Sequence, residues 1–225
     1  MPVFRLNNTI EFPSPELASD IGLLAVGGDL SQERLLLAYR MGIFPWFSED
    51  EPIMWWSPDP RLVLYPEEIR ISKSLKKTID RGTFTVTRDG AFDAVIRGCA
   101  EIRRKNDEGT WILTEMIDAY KQLHASGVAH SVEAWHGGEL AGGLYGIALG
   151  GCFFGESMFS KITDASKVAF VALVEHLRTQ SFHLIDCQVA TGHLKRFGAR
   201  EIPRSEFLSQ LDPSPGGRQE TRPQF

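Results

Sequence analysis

Cysteine is scarce in this chain, and what there is does not pair. Cys99, Cys152 and Cys187 are far apart and never fall in a Cys-x-x-Cys spacing, so neither a disulfide framework nor a zinc site is indicated. Each lies in an apolar stretch and reads as a buried, reduced thiol. Long hydrophobic runs are also missing. No segment approaches about 18 uninterrupted apolar residues, and the start of the chain has no basic region followed by an apolar run. A cytoplasmic protein without membrane contact is expected. Excess positive charge is absent, the net charge being −5, which argues against a protein that coats nucleic acid indiscriminately.

Several chemistries lack their signatures. The six histidines include no His-x-x-x-His or His-Glu-x-x-His pair, so no metal and no cofactor are expected. Gly27-Gly-Asp29 lacks the Lys-Ser/Thr of a phosphate loop. Gly155-Glu-Ser-Met-Phe159 offers a strand-end serine without the second glycine of a nucleophile elbow. A hydrolase is therefore disfavoured.

Against these absences stand a local basic patch and an unusual aromatic segment. Arg70 to Arg81 carries five positive charges and one negative, and Arg103-Arg-Lys105 follows. Such a run is either a solvated helix face or a phosphate-binding surface. Ile43 to Arg61 holds four prolines and three tryptophans, which reads as an ordered aromatic loop rather than a regular element, with a domain boundary near Arg61. A helix precedes it, with Ser31 as N-cap, Leu35, Leu36 and Tyr39 as its apolar stripe and Gly42 as its stop.

Beyond Arg61 the pattern predicts a strand over 62–65, a basic helix over 72–81 and a strand over 83–87. A helix capped by Asp89 and another capped by Thr114 follow. Strands over 129–135, 140–149 and 151–158 come next, then a helix from Asp164 to Thr179 and a strand over 182–189. Consecutive hairpin strands with one helix crossing back predict an α+β fold with a mixed sheet. The domains expected are a small N-terminal one over 1–61, a catalytic one over 62–211 and a disordered tail over 212–225. His193 to Ile202 resembles the late helix, turn and strand of acyl-CoA N-acyltransferases of the GNAT fold.

Two carboxylates in apolar strands are the best candidates for chemistry. Period-two alternation puts Asp186 and Gln188 on one strand face, with Ile185, Cys187 and Val189 on the other. Burying Asp186 is costly without a partner, so it is either a structural hydrogen-bond acceptor or an acid or base oriented by Gln188. Glu156, in Cys152-Phe-Phe-Gly-Glu-Ser-Met-Phe159, invites the same two readings, with Lys161 as a salt-bridge partner. Trp46, Trp55, Trp56 and Trp111 are core residues or, where exposed, platforms for a nucleobase.

Taken together, these motifs resemble one family. Gly22 to Ser31, Leu35 to Trp56, Trp56-Ser-Pro-Asp-Pro-Arg61, Gly109-Thr-Trp-Ile112, Gly155-Glu-Ser-Met-Phe-Ser160, Ala165-Ser-Lys167 and Leu184 to Val189 are similar to leucyl/phenylalanyl-tRNA–protein transferases over nearly the whole chain. The resemblance implies a GNAT-like second domain. It also implies transfer of Leu, Phe or Met from aminoacyl-tRNA to proteins beginning with Arg or Lys, marking them for degradation. By resemblance Asp186 and Gln188 form the catalytic pair and Glu156 holds the basic acceptor. Trp46 and Trp111 contact the terminal adenosine and aminoacyl group, and Tyr120, Leu144, Phe153, Met158, Phe170 and Leu173 form the apolar pocket. Lys73, Lys76, Lys77 and Arg81 are the candidates for tRNA phosphates, and a monomer is expected. The competing reading is an acyl-CoA-dependent N-acetyltransferase. It is weakened because Phe159 to Lys167 contains no glycine to cradle a pyrophosphate.

Overall fold

The computed structural model describes residues 3–105, 112–211 and 225, excepting the side chains of 103–105. It begins with a small four-stranded sheet. Its strands are β1 (Phe4–Leu6), β2 (Leu23–Gly27), β3 (Phe44–Pro45) and β4 (Met54–Trp56), in the order β1-β2-β4-β3. The aromatic segment is thus not wholly a loop. Pro45 is accommodated because β3 is an edge strand, where a missing N–H breaks no ladder. Helix α1 (Gln32–Arg40) lies between β2 and β3, and the Ser31 hydroxyl accepts the Arg34 N–H as foreseen. Gly42 ends it at φ 70°, and α7 (Arg204–Leu211) packs so closely that a Cβ at Gly42 would lie 2.6 Å from Leu208.

A seven-stranded mixed sheet follows. It comprises β5 (Arg61–Leu64), β6 (Thr85–Arg88), β7 (Ala129–His136), β8 (Glu139–Leu149), β9 (Cys152–Ser160), β10 (Leu184–Gln188) and β11 (Arg200–Ile202). The order is β11-β5-β10-β9-β8-β7-β6. Only β9 and β10 are parallel; every other neighbouring pair is antiparallel. A parallel pair needs a crossover, and α5 (Ala165–Thr179) supplies it; the short α6 (Gly192–Arg196) follows β10.

Both faces of this sheet are covered, which is why β7 is buried for most of its length rather than alternating. One face packs against α3 (Phe92–Lys105), α4 (Thr114–Ala125) and the small sheet. There Leu24, Tyr39 and Trp55 share a core with Ile96, Tyr120 and Phe154. The other face packs against α5 and α2 (Lys73–Asp80) through Leu75, Ala169, Phe170 and Leu173. Fully burying a side chain of Leu or Phe size contributes about 1.5–3 kcal/mol, so the core shared between the sheets ties the N-terminal segment firmly to the larger unit.

Three capping expectations need correction. Asp89 does not cap α3; its carboxylate accepts from Ser131 N–H at 2.9 Å and faces His130 Nδ1 at 2.8 Å. Thr114 is the first residue of α4, after an N-cap at Leu113 that makes no side-chain bond. Asp164 occupies the N-cap of α5, but its carboxylate binds Lys167 instead. Of the tail, 212–224 lies outside the described residues. Phe225, expected to be disordered, instead stacks on His130 with ring centres 4.2 Å apart.

Candidate active site

The site forms where the parallel strands part. β9 and β10 pair from Leu184/Cys152 to Asp186/Phe154 and no further. Past that point a cavity of about 710 Å³ opens, lined by residues 155–160 of β9 and by Ile185 to Val189. Crevices at the carboxyl ends of parallel strands are common binding sites, because helices and loops there leave space that the sheet does not fill.

Two β-bulges aim the functional side chains into this space. On β9, Tyr145 pairs with Ser157 and Gly146 with Gly155, leaving Glu156 as the extra residue. Gly146 is required there, since a Cβ would lie 2.2 Å from the Phe154 carbonyl oxygen. On β10, Asp186 faces Val63 and Gln188 faces Leu62, leaving Cys187 extra. Gln188 takes φ 61°, a costly backbone for a residue with a Cβ. Such strain persists only where the surroundings hold it. Here the Asp186 carboxylate accepts the Gln188 N–H at 2.8 Å, and the Gln188 amide donates to Glu156 Oε1 at 3.1 Å.

Asp186 is fully buried and its charge is met by Arg61. The guanidinium donates to both carboxylate oxygens, from Nε at 2.8 Å and from Nη2 at 2.6 Å. Phe44 and Phe207 sandwich that guanidinium at 4.8 and 4.5 Å. Arg61 therefore joins the small sheet, α7 and β10. In the sequence Arg61 marks a domain boundary and ends a family motif, with no role of its own expected, although an arginine opening an apolar strand is a signal of a buried ionic partner.

Glu156 sits in a cage of hydroxyls. The Tyr39 hydroxyl on α1 lies 2.8 Å from its Oε1 and the Tyr120 hydroxyl on α4 lies 2.9 Å from its Oε2, and the two phenol oxygens are in hydrogen-bond contact with each other. Burial pushes the Glu156 carboxyl up to about 7. The tyrosine hydrogen bonds and Arg61 oppose this, and the charge of Asp186 adds to it. The Lys161 partner expected from sequence is elsewhere, its ammonium lying 5.9 Å from the Phe159 ring centre.

The other expected residues divide clearly. Leu144, Phe153, Met158, Phe170 and Leu173 line the cavity together, beside Glu156, Asp186 and Gln188, and Trp46 stands at its mouth, 44% exposed. Tyr120 does not line it, being fully buried behind Glu156. Trp111 lies outside the described residues. Trp55 is core, donating from Nε1 to the Gly27 carbonyl at 2.9 Å. Lys73, Lys76, Lys77 and Arg81 are all exposed, on or just after α2, which packs against α5. Helical spacing places Tyr39 in an apolar stripe; only the fold brings its hydroxyl to Glu156. Among the described residues no helix is long and apolar enough to cross a membrane, and no cluster of His, Cys, Asp and Glu could hold a metal ion.

A small sheet followed by a larger mixed-sheet α+β unit, with an apolar cavity closing on an acid–amide pair, is the class of protein these features define. Residues 63–212 match the family described as leucyl/phenylalanyl-tRNA protein transferase, and residues 28–59 match the N-terminal domain of the same family. The chain belongs to this family. It is 59% identical over 211 residues to the leucyl/phenylalanyl-tRNA–protein transferase of Desulforapulum autotrophicum, covering 94% of this chain and 92% of that protein. It is 63% identical over 211 residues to that of Anaeromyxobacter sp. (strain Fw109-5), covering 94% and 90% respectively. Among solved structures it is similar to a conserved protein of unknown function from Bacteroides thetaiotaomicron. That match has TM-score 0.46 and 10% identity and covers 61% of this chain and 53% of that one.

Proposed function

We propose that this chain transfers Leu, Phe or Met from aminoacyl-tRNA to the N-terminal Arg or Lys of acceptor proteins, marking them for degradation by the N-end rule. The observation that carries this reading is the apolar cavity ending on Glu156 and Gln188. It offers room for an uncharged side chain at one end and polar groups for an amine and an ester at the other. The parting of β9 and β10, joined by α5, supports a GNAT-like second domain.

The ester of aminoacyl-tRNA is already activated, so the reaction needs no nucleoside triphosphate and no cofactor. The attacking α-amine has a reference pKa of about 7.7–8.0, and a modest base suffices. With both Asp186 oxygens on Arg61, the reading best supported is that Asp186 acts through Gln188, fixing its strained backbone. Glu156 and the Gln188 amide then face the amine. Leu144, Phe153, Met158, Phe170 and Leu173 hold the transferred side chain. Apolar pockets separate side chains differing by one methylene by only about 1–3 kcal/mol, which supports overlapping use of Leu, Met and Phe. Trp46 and Trp111 take the terminal adenosine, and Lys73, Lys76, Lys77 and Arg81 take acceptor-stem phosphates. The working form is read as a cytoplasmic monomer.

The test is transfer of labelled leucine from leucyl-tRNA to an Arg-initiated peptide, beside a Gly-initiated control, without ATP or coenzyme A. Label in the Arg peptide alone is the expected result. No label in either, with folded protein and intact leucyl-tRNA, would overturn the reading and favour the coenzyme A alternative.

A further inference from the structure

Tyr39, Tyr120 and Glu156 close a circuit of three oxygen–oxygen contacts: Tyr39 to Oε1, Tyr120 to Oε2, and phenol to phenol. Each such contact needs a hydrogen between its oxygens, because facing lone pairs repel. The two tyrosines supply two hydrogens. Neither gives its own up, since burial, reinforced by Glu156, holds both phenols well above their usual range. With Glu156 ionised, one contact of the three is always left without a hydrogen. In water such a gap would be filled by solvent, but Tyr39 and Tyr120 are fully buried.

We propose that Glu156 rests as a neutral carboxylic acid, closing a three-hydrogen ring with Tyr39 and Tyr120, and that this ring carries the proton in aminoacyl transfer. The second half of this statement rests on the transfer reading above. The surroundings fit a neutral acid. Tyr145 on β8 meets Tyr120 edge-on at 5.6 Å, and Asp186 on β10 is already neutralised by Arg61 on β5. The Gln188 amide donates to Oε1 at 3.1 Å, which a protonated carboxyl accepts as well as an ionised one. Burial acting on Glu156 works in the same direction.

The chemistry balances without any co-reactant. The acceptor's nitrogen forms a bond to the ester carbonyl carbon, and the bond from that carbon to the terminal ribose oxygen breaks. The nitrogen loses one proton and the ribose oxygen gains one. Glu156 gives its hydrogen to the leaving oxygen from one carboxyl oxygen and takes the nitrogen's proton on the other. Tyr39 and Tyr120 then turn their hydroxyls, and the ring closes in the opposite sense. Glu156 is the catalytic residue; the two tyrosines position its proton.

Infrared difference spectra of the full chain, taken without substrate against Glu156→Gln, test the ring. A carboxylic-acid carbonyl band is expected at pH 6, absent from Glu156→Gln and lost as the pH rises through about 7. Tyr39→Phe opens the ring, so the band should vanish at lower pH. Its kcat should fall by about tenfold or more, part of the usual acid–base contribution, with KM for leucyl-tRNA little changed. Absence of the band at pH 6 overturns the proposal. So does a band that persists to higher pH in Tyr39→Phe, because Tyr39 would then be a donor to an ionised carboxylate. Tyr120→Phe opens the same ring and replaces Tyr39→Phe if that variant does not fold. A band at pH 6 in a protein that fails to transfer leucine supports the ring and sinks the transfer reading alone.

Discussion

Replacing Glu156 by Gln should make the protein more stable at alkaline pH, by an amount that grows with pH. Gln has the shape of the neutral acid, with an NH2 end that donates and a carbonyl end that accepts for the two tyrosines. The Glu156 carboxyl is raised from 4.5 to about 7 by burial, so the folded state binds more protons than the unfolded state between those values. Stability must then fall as the pH rises through that window. At about 1.36 kcal/mol per unit, the deficit relative to an unperturbed carboxyl is about 1 kcal/mol at pH 5 and about 3 kcal/mol at pH 8. Urea unfolding of wild type and Glu156→Gln at several pH values measures it. The gap between them should widen by about 2 kcal/mol from pH 5 to pH 8, while leucine transfer is largely lost. A gap that does not widen across that range would mean that Glu156 ionises as it does in the unfolded chain, and the burial argument would fail.

Arg61→Met should cost about 3–5 kcal/mol, because it leaves the Asp186 charge buried and alone. Arg61→Met with Asp186→Leu should recover most of that stability in urea unfolding, yet remain inactive because nothing then holds Gln188. Recovery of transfer in the double variant would refute the positioning role of the pair. Lys76→Ala with Lys77→Ala on the exposed face of α2 should leave the melting temperature nearly unchanged. It should weaken aminoacyl-tRNA binding and lower the slope of log K against log salt by about two contacts' worth. An unchanged slope would move the tRNA surface elsewhere.

Local pattern determined most of the elements. Helix α1 begins after Ser31 and stops before Gly42, α2 follows Ser72, and the hairpin strands β7 to β9 stand where the apolar runs and glycine turns place them. It erred where side chains had long-range partners, as at Asp89, which turns away from its helix to meet β7. It erred too in the aromatic segment, where Pro45 fits because the strand that holds it is an edge. The residues of the cavity were legible as types: two acids in apolar strands, an amide beside one of them, and an apolar set around them. Their arrangement was not. Strict period two cannot foresee the bulges that turn Glu156 and Gln188 toward one another. Nor does sequence distance foresee that Tyr39, 117 residues from Glu156, or Arg61, 125 residues from Asp186, would supply the partners. A buried charge must find its counter-charge or its proton within a few ångströms, and only the tertiary structure decides which residues are that near.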